Sequence, residues 1–350
     1  MATIGALALT FADWAKRHDD DGKTSMIIEL LSMTNEILDD MLVVEANDIT
    51  GHTTTVRTGI PQATWRLLNY GVPRAKSTTA KITDGMGMLE TWSVMDKSLA
   101  DLNGNSASFR LSEDLAFLEG MSQQMSTQVF YGNRATNPER FTGLSPRYNT
   151  VSTATANSAN NVIDMGGAGA TNTSMWLVTW GERTCHGIFP KGGKSGFQSR
   201  DFGDAVPLTD GAGNEYVGYR THFKWDNGLT LRDWRYVVRI CNIDVTTLGG
   251  LAPPDLIKAM IRAGHRLPTQ PPALGTEQTS DAPKNALTAM MGRQAFYANR
   301  TIRTWLDIQA LNETNVLLKF DEWDGKPITR FRGVPIRTCD ALLNTESAVV

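Results

Sequence analysis

Residues 51–95 constrain this chain more than any other stretch: they carry nine threonines, scattered Val, Ile and Trp, and no helical period. Turn signals fall at Gly59-Ile60-Pro61, Gly71-Val72-Pro73 and Asp84-Gly85. β-Branched residues between such punctuation predict extended strands joined as a long hairpin. A two-stranded projection cannot bury both of its faces by itself. Packing onto another subunit resolves that problem, so an obligate assembly is expected. The hairpin is also basic, because Arg57, Arg66, Arg74, Lys76 and Lys81 outnumber Asp84 and Glu90 for a net +3. Two large aromatics, Trp65 and Trp92, ride on it.

The preceding segment has the opposite sign. Residues 1–50 hold Asp13, Asp19, Asp20, Asp21, Glu29, Glu36, Asp39, Asp40, Glu45 and Asp48 against Lys16, Arg17 and Lys23, a net −7. From Thr24 onward Ile27, Ile28, Leu31, Ile37, Leu38, Met41 and Leu42 recur at three- and four-residue steps, the pattern of one or two amphipathic helices. Up to Gly22 the chain reads as an acidic lead-in. Over all 350 residues the net charge is −3, which argues against a dedicated nucleic-acid or anionic-membrane binder. A chain that is 41% apolar and 20% charged is expected to fold, and at this length to divide into two or more domains.

No run approaches the roughly 18–20 apolar residues of a membrane span. Ile4 to Ala12 is short and apolar like a signal core, but no basic residue precedes it and Asp13 and Trp14 follow, so it is expected to be retained. Cys185, Cys241 and Cys339 are odd in number and far apart. They read as reduced core thiols of a protein made in the cytoplasm.

Downstream, Leu111, Leu115, Leu118, Met121, Met125 and Val129 trace one apolar stripe, predicting a helix of about 20 residues and roughly 30 Å that ends at Gly132 in a left-handed cap. Gly120 inside it costs about 1 kcal/mol relative to Ala, so a close packing contact is expected there. Residues 150–174 are loop-like by composition. Residues 175–180 and 236–241 are compact apolar runs suited to buried strands, the second led in by residues 230–234. Two helical stretches follow at residues 255–263 and 285–311, separated by a Pro-rich connection, and the last thirty residues return to strands and turns.

Candidate chemistry is thin. Gly192-Gly193-Lys194-Ser195 lacks the earlier glycine of a phosphate loop, since Ile188 stands where it belongs. Gly193-Lys194-Ser195-Gly196-Phe197 lacks the final glycine of a nucleophile elbow. Cys185 and His186 are neighbours on a predicted strand and point to opposite faces. His18, His52, His186, His222 and His265 never fall at the spacing of a helical zinc pair, and Asp19-Asp20-Asp21-Gly22 lacks the spaced ligands of a calcium loop. No catalytic, cofactor-binding or metal-binding residue is assigned, and an enzyme is not expected.

The order of acidic arm, hairpin and long helix, running into Phe130-Tyr131-Gly132-Asn133 and Asn137-Pro138-Glu139-Arg140-Phe141-Thr142-Gly143-Leu144, resembles the major capsid proteins of tailed bacteriophages, particularly short-tailed ones. Trp176-Leu177-Val178-Thr179-Trp180-Gly181, His186-Gly187-Ile188-Phe189-Pro190-Lys191-Gly192, Tyr219-Arg220-Thr221-His222-Phe223-Lys224-Trp225, Arg232-Asp233-Trp234-Arg235-Tyr236 and Phe331-Arg332-Gly333-Val334-Pro335-Ile336 fit the same picture. The resemblance implies an α+β fold of the type named after phage Hong Kong 97. Its parts would be an N-terminal arm (1–49), an E-loop (50–97), a P-domain with its spine helix (98–170), an A-domain (171–315) and a C-terminal return to the P-domain (316–350). Some members crosslink a Lys to an Asn with help from a Glu; none of those residues is assigned here.

The implied function is self-assembly into an icosahedral shell around double-stranded DNA. The implied partners are the chain itself in hexameric and pentameric capsomers, scaffolding, decoration and portal proteins, and DNA by weak non-specific contact, with no membrane and no cofactor. The competing reading is a β-rich phage tail or receptor-binding component. Within the shell reading, the acidic arm with Asp19, Asp20 and Asp21 is expected to meet Arg57, Arg66, Arg74, Lys76 and Lys81 of a neighbour, with Trp65 and Trp92 supplying apolar contact. Complementary charge of this kind sets register and partner choice more than affinity.

Overall fold

The computed structural model describes residue 9 and residues 32–102, 106–203, 206–210, 212–250, 253–268, 293–312, 318–323 and 326–350. In chain order the elements are α1 (Ile37–Asp40), β1 (Val43–Glu45), β2 (Gly51–Gly59), β3 (Thr78–Asp96), α2 (Lys97–Ala100), α3 (Ser106–Tyr131), β4 (Val162–Asp164), β5 (Asn172–Trp180), β6 (Cys185–Phe189), β7 (Phe197–Asp201), β8 (Val206–Thr209), β9 (Glu215–Leu231) and β10 (Val237–Asp244). They are followed by α4 (Leu256–Arg266), β11 (Arg293–Ala298), α5 (Arg300–Asn312), β12 (Leu318–Trp323), β13 (Lys326–Phe331) and β14 (Val334–Thr338). Among the described residues the strands form one mixed sheet whose main path runs β12-β13-β14-β11-β5-β6-β9-β3-β2.

The centre of that sheet is β5, buried along its whole length. Met175 and Leu177 point to one face, where Val238, Ile240, Phe296, α4 and α5 close over them; Trp176, Val178 and Trp180 point to the other, against Met125, Val129 and Phe130 of α3. A strand covered on both faces reads as a continuous apolar run, as residues 175–180 do. β10 and β11 flank it in antiparallel register.

The hairpin is built as expected, but its long strand has two different lives. From Gly85 back to Thr78, β3 pairs only with β2; from Met86 to Asp96 it pairs with β9 across Gly228 to Gly218. The second half lies beneath α3, where Phe117 meets Phe223 and the Arg110 guanidinium holds Asp201 at 2.7 Å. The first half projects.

Several local expectations are corrected. The helical pattern begun at residue 24 shows as the single turn α1 in its described part, because the following Val43–Glu45 is claimed by β6 as a parallel strand; residues 24–31 lie outside the described residues. In α3 the buried row is Phe109, Met121, Met125 and Val129, a four-residue ridge, while Leu111 and Leu115 are exposed. Gly132 is not left-handed. It is needed instead for close approach: a Cβ there or on Gly143 would fall 2.6 Å from the Gln128 carbonyl oxygen. The chain doubles back there to cap the helix, with Gly143 N–H donating to the Gly132 carbonyl and Leu144 N–H to that of Val129. Residues 150–174 contain β4, paired in parallel with β10.

The predicted helix at 285–311 is two elements where described. Residues 293–298 are strand β11, slotted between β5 and β14. Asn299 then ends the strand and caps α5, its Oδ1 accepting from Ile302 N–H and its Nδ2 donating to Thr173 Oγ1. A two-sided buried slot outweighs the weak helix propensity of Ala295-Phe296-Tyr297-Ala298.

Two ionic knots, one buried and one built on the buried Asp40 with partly exposed partners, bind the chain's ends to this sheet. Arg239 on β10 donates to Glu346 at 2.9 Å, and Glu346 also accepts from Ser174 and Tyr131. Burial beside that carboxylate pushes the Tyr131 hydroxyl well above its usual range, so it stays a donor. At the other end, Asp40 accepts from Arg337, Arg293 and Tyr297. Removing one partner strands the other charge, so Glu346→Ala is expected to lower subunit stability by about 3–5 kcal/mol in urea unfolding followed by tryptophan fluorescence. A loss below about 1 kcal/mol would show that the knot carries no such weight.

Candidate assembly interface

The basic residues singled out in the sequence lie together on the projecting part. Arg57 and Lys81 sit on the paired strands, and Trp65, Arg66, Arg74 and Lys76 in the connection at residues 60–77, all exposed. None of the five cations has a carboxylate within ion-pair distance among the described residues. The tip is also apolar. Trp65 is 100% exposed and Leu68 86%, with Ile60, Leu67, Tyr70 and Val72 beside them in the same connection. Fully burying a side chain of this size is worth about 1.5–3 kcal/mol, so the tip is a reservoir of unspent binding free energy.

Trp92 does not belong with that tip. It lies on the anchored half of β3, opposite His222, with the two rings stacked at 4.1 Å. The Arg220 guanidinium sits 3.6 Å above the Trp92 ring and that of Arg200 4.7 Å from Phe202, while Glu90 pairs with His222 and Lys224. The sequence reading missed Arg200 and Arg220. The two-residue alternation of Arg220, His222 and Lys224 could have shown that they share one face of β9.

The acidic partner is divided. Asp19, Asp20 and Asp21 lie outside the described residues. Glu36 and Asp40 are consumed within the chain, where they hold Arg337 at 2.9 and 3.1 Å and keep its guanidinium charged despite burial. Part of the arm's negative charge therefore serves the subunit itself.

The body carries a groove of about 680 Å³ between α3, the anchored half of β3 and residues 139–141. Met33, Met88, Leu89, Met125 and Phe141 line it together with Gln123, Gln124, Thr127, Gln128, Glu139 and Arg140, and Gly120 of α3 opens onto it. Beyond its own helix backbone, no described atom lies within 4 Å of where a Gly120 Cβ would stand, so the close contact expected at this glycine is not made among the described residues.

The residues tested for chemistry are placed plainly. The Gly192–Gly196 turn runs into strand β7, so no row of helix amides faces a phosphate there. Burial pushes the Cys185, Cys241 and Cys339 thiols up to about 12, far from nucleophilic thiolates. Among the described residues no group of three His, Cys, Asp or Glu is placed to hold a metal, and no helix is long and apolar enough to cross a membrane.

A hairpin projecting from a base held beneath a long helix, with a buried mixed sheet behind it, is the α+β architecture that the resemblance to Hong Kong 97-type shell proteins implies. The comparisons agree. The major capsid protein GP7 family model matches residues 19–350. The cryo-EM structure of bacteriophage epsilon15 matches with a TM-score of 0.72 and 39% identity, covering 100% of this chain and 99% of that one. The chain belongs to the GP7 major capsid protein family and is a structural protein of a phage capsid. Against curated proteins there is no match. Fainter likenesses to Microbacterium phage Oxtober96 (TM-score 0.42, 10% identity, 66% of this chain and 98% of that) and to the native GTA particle capsid (0.41, 12%, 67% and 99%) carry no argument. The alternative of a tail or receptor-binding component falls with the family match.

The two tryptophans should separate experimentally. Trp65→Ser is expected to leave subunit stability within about 0.5 kcal/mol, because Trp65 is fully exposed. Trp92→Ala should cost about 1–2 kcal/mol through the lost stack and cation–π contact, read from urea midpoints.

Proposed function

We propose that the hairpin tip of one subunit docks into the Gly120 groove of the next, and that repetition of this contact closes capsomer rings. What carries the reading is the coexistence, on one chain, of an apolar tip and a mixed groove with an apolar lining of Met33, Met88, Leu89, Met125 and Phe141 that cannot meet. The paired part of the hairpin holds the tip about 25 Å beyond the body, at ~3.3 Å per residue. A patch that fits a different patch on the next copy makes a heterologous contact, which closes into rings when the rotation permits. Six- and five-membered rings of this kind would tile an icosahedral shell.

Charge sets the register in this proposal. Asp19, Asp20 and Asp21 of one arm face Arg57, Arg66, Arg74, Lys76 and Lys81 of a neighbouring hairpin, and Trp65 is the desolvated anchor. Trp92, already stacked within its own chain, rims the contact through Arg220. Each exposed pair contributes only about 0–1 kcal/mol, and repetition around a ring makes the sum matter. The division into arm (1–49), E-loop (50–97), P-domain (98–170), A-domain (171–315) and C-terminal return (316–350) belongs to the same proposal. So do the enclosed double-stranded DNA, met by weak non-specific contact, the scaffolding, decoration and portal partners, synthesis in the host cytoplasm, and the absence of catalysis.

Two variants test it by negative-stain microscopy of the protein expressed with its neighbouring phage genes. Charge reversal at Arg57, Arg66 and Arg74 to Glu should leave folded subunits that fail to close shells. Gly120→Leu should fold at least as well, since leucine improves on a helix glycine by about 1 kcal/mol, yet block the groove and stop assembly. Normal shells from both would overturn the reading.

A further inference from the structure

The hairpin joins the body at a cluster of titratable groups that the assembly contacts do not use. His52 is the second residue of β2 and stands directly across from Asp84 of β3. His186 on β6 is fully buried, and its ring meets that of His52 edge-on at 5.7 Å. Arg232, just past β9, donates from Nη2 to His52 Nε2 at 2.9 Å. Asp84 is engaged elsewhere, accepting from Arg147 at 2.8 Å, and Arg147 also donates to the Leu229 and Thr142 carbonyls.

On balance this environment opposes another proton. The Asn47 N–H points at His52 Nδ1 from 3.3 Å, so both nitrogens of that ring face donors, whereas a neutral imidazole has one lone pair to offer and an imidazolium none. Neither nitrogen of His186 has a hydrogen-bond partner among the described residues. The Gly181 backbone favours a proton on His186 without meeting hydrogen-bond geometry. Arg232 has no carboxylate partner among the described residues, so its charge bears on both rings.

We infer that this cluster is an acid-sensitive hinge lock for the hairpin: protonating His186 or His52 puts a second cation beside Arg232 and releases the β2 end from the body. The inference rests on the reading of the hairpin as the assembly element and adds the condition under which it moves. The direction follows from linkage. Burial, then Arg232, lower the proton affinity of His52 against a smaller opposing pull from Asp84, and burial, Arg232 and His52 together push His186 down to about 4. The open state restores ordinary values near 6.5 and so binds the proton more tightly. The lock is at full strength above about pH 6.5 and weakens as pH falls from there through about 4. Across that window the ratio of open to locked hairpin should rise on the order of 100-fold.

Hydrogen exchange of the full-length protein, read by mass spectrometry at pH 7, 5.5 and 4.5 and corrected for intrinsic rates, tests this. Peptides covering residues 51–59 and 78–85 should lose protection at least tenfold between pH 7 and 4.5, while those covering β5 and β10 hold. His186→Phe with His52→Gln should flatten the response. If that variant does not fold, Arg232→Gln takes its place and should shrink the response, since it removes the cation that penalises the proton. Hairpin protection independent of pH in the wild-type protein, or an unchanged response in the folded variant, would overturn the inference. Shell closure at neutral pH is a separate readout, so failure here leaves the assembly reading standing and failure there leaves this one.

Discussion

The structure depends on one strand changing partners. β3 is 19 residues long, about 60 Å at the usual rise, and it is held by β9 over one half and by β2 alone over the other. The β9 half is clamped from above by α3 and is part of the folded body. Beyond its buried root at His52 and Asp84 the β2 half is a bare two-stranded ribbon, which is marginal in water. The chain thus builds a rigid base and carries on it an element whose burial must come from outside. Every other unusual feature sits relative to that division: the apolar tip beyond it, the groove beside the base, and the histidine cluster at the junction.

The body can support such a lever because its own ends are tied down. Asp40 and Glu36 near the start reach Arg337 on β14, and Glu346 near the end reaches Arg239 on β10. Buried ion pairs are poor sources of net stability, because desolvation offsets much of their attraction. Their effect here is positional. Each carboxylate has several donors in fixed directions, and the segments carrying them can enter the sheet in one register only.

Elements whose pattern is a property of the local backbone were legible beforehand. Threonine and turn punctuation mark the two hairpin strands, compact and mainly apolar runs mark β5 and β10, three- and four-residue spacing marks α3, and a proline boundary precedes α4. Where local pattern is ambiguous, the reading slipped. Residues 293–298 resemble the helix that follows them, and only the slot between β5 and β14 makes them a strand. Gly120 and Gly132 stand out in the sequence as glycines in or near a helix, but neither serves the expected purpose: Gly132 admits a returning segment instead of a left-handed cap, and Gly120 has no close neighbour among the described residues.

For the candidate interface the split is similar. The sequence by itself determined the opposed charges of arm and hairpin, the exposure of Trp65 on an unburied ribbon and the absence of a catalytic signature, because these follow from composition and periodicity within a few tens of residues. Only the tertiary structure decided that Trp92 belongs to the base, that Glu36 and Asp40 are engaged within the subunit, and that His52, His186 and Arg232 converge at the hairpin's root. Those facts depend on which distant side chains arrive within about 4 Å of one another. Electrostatics and packing act at that range, and spacing along the chain does not report it.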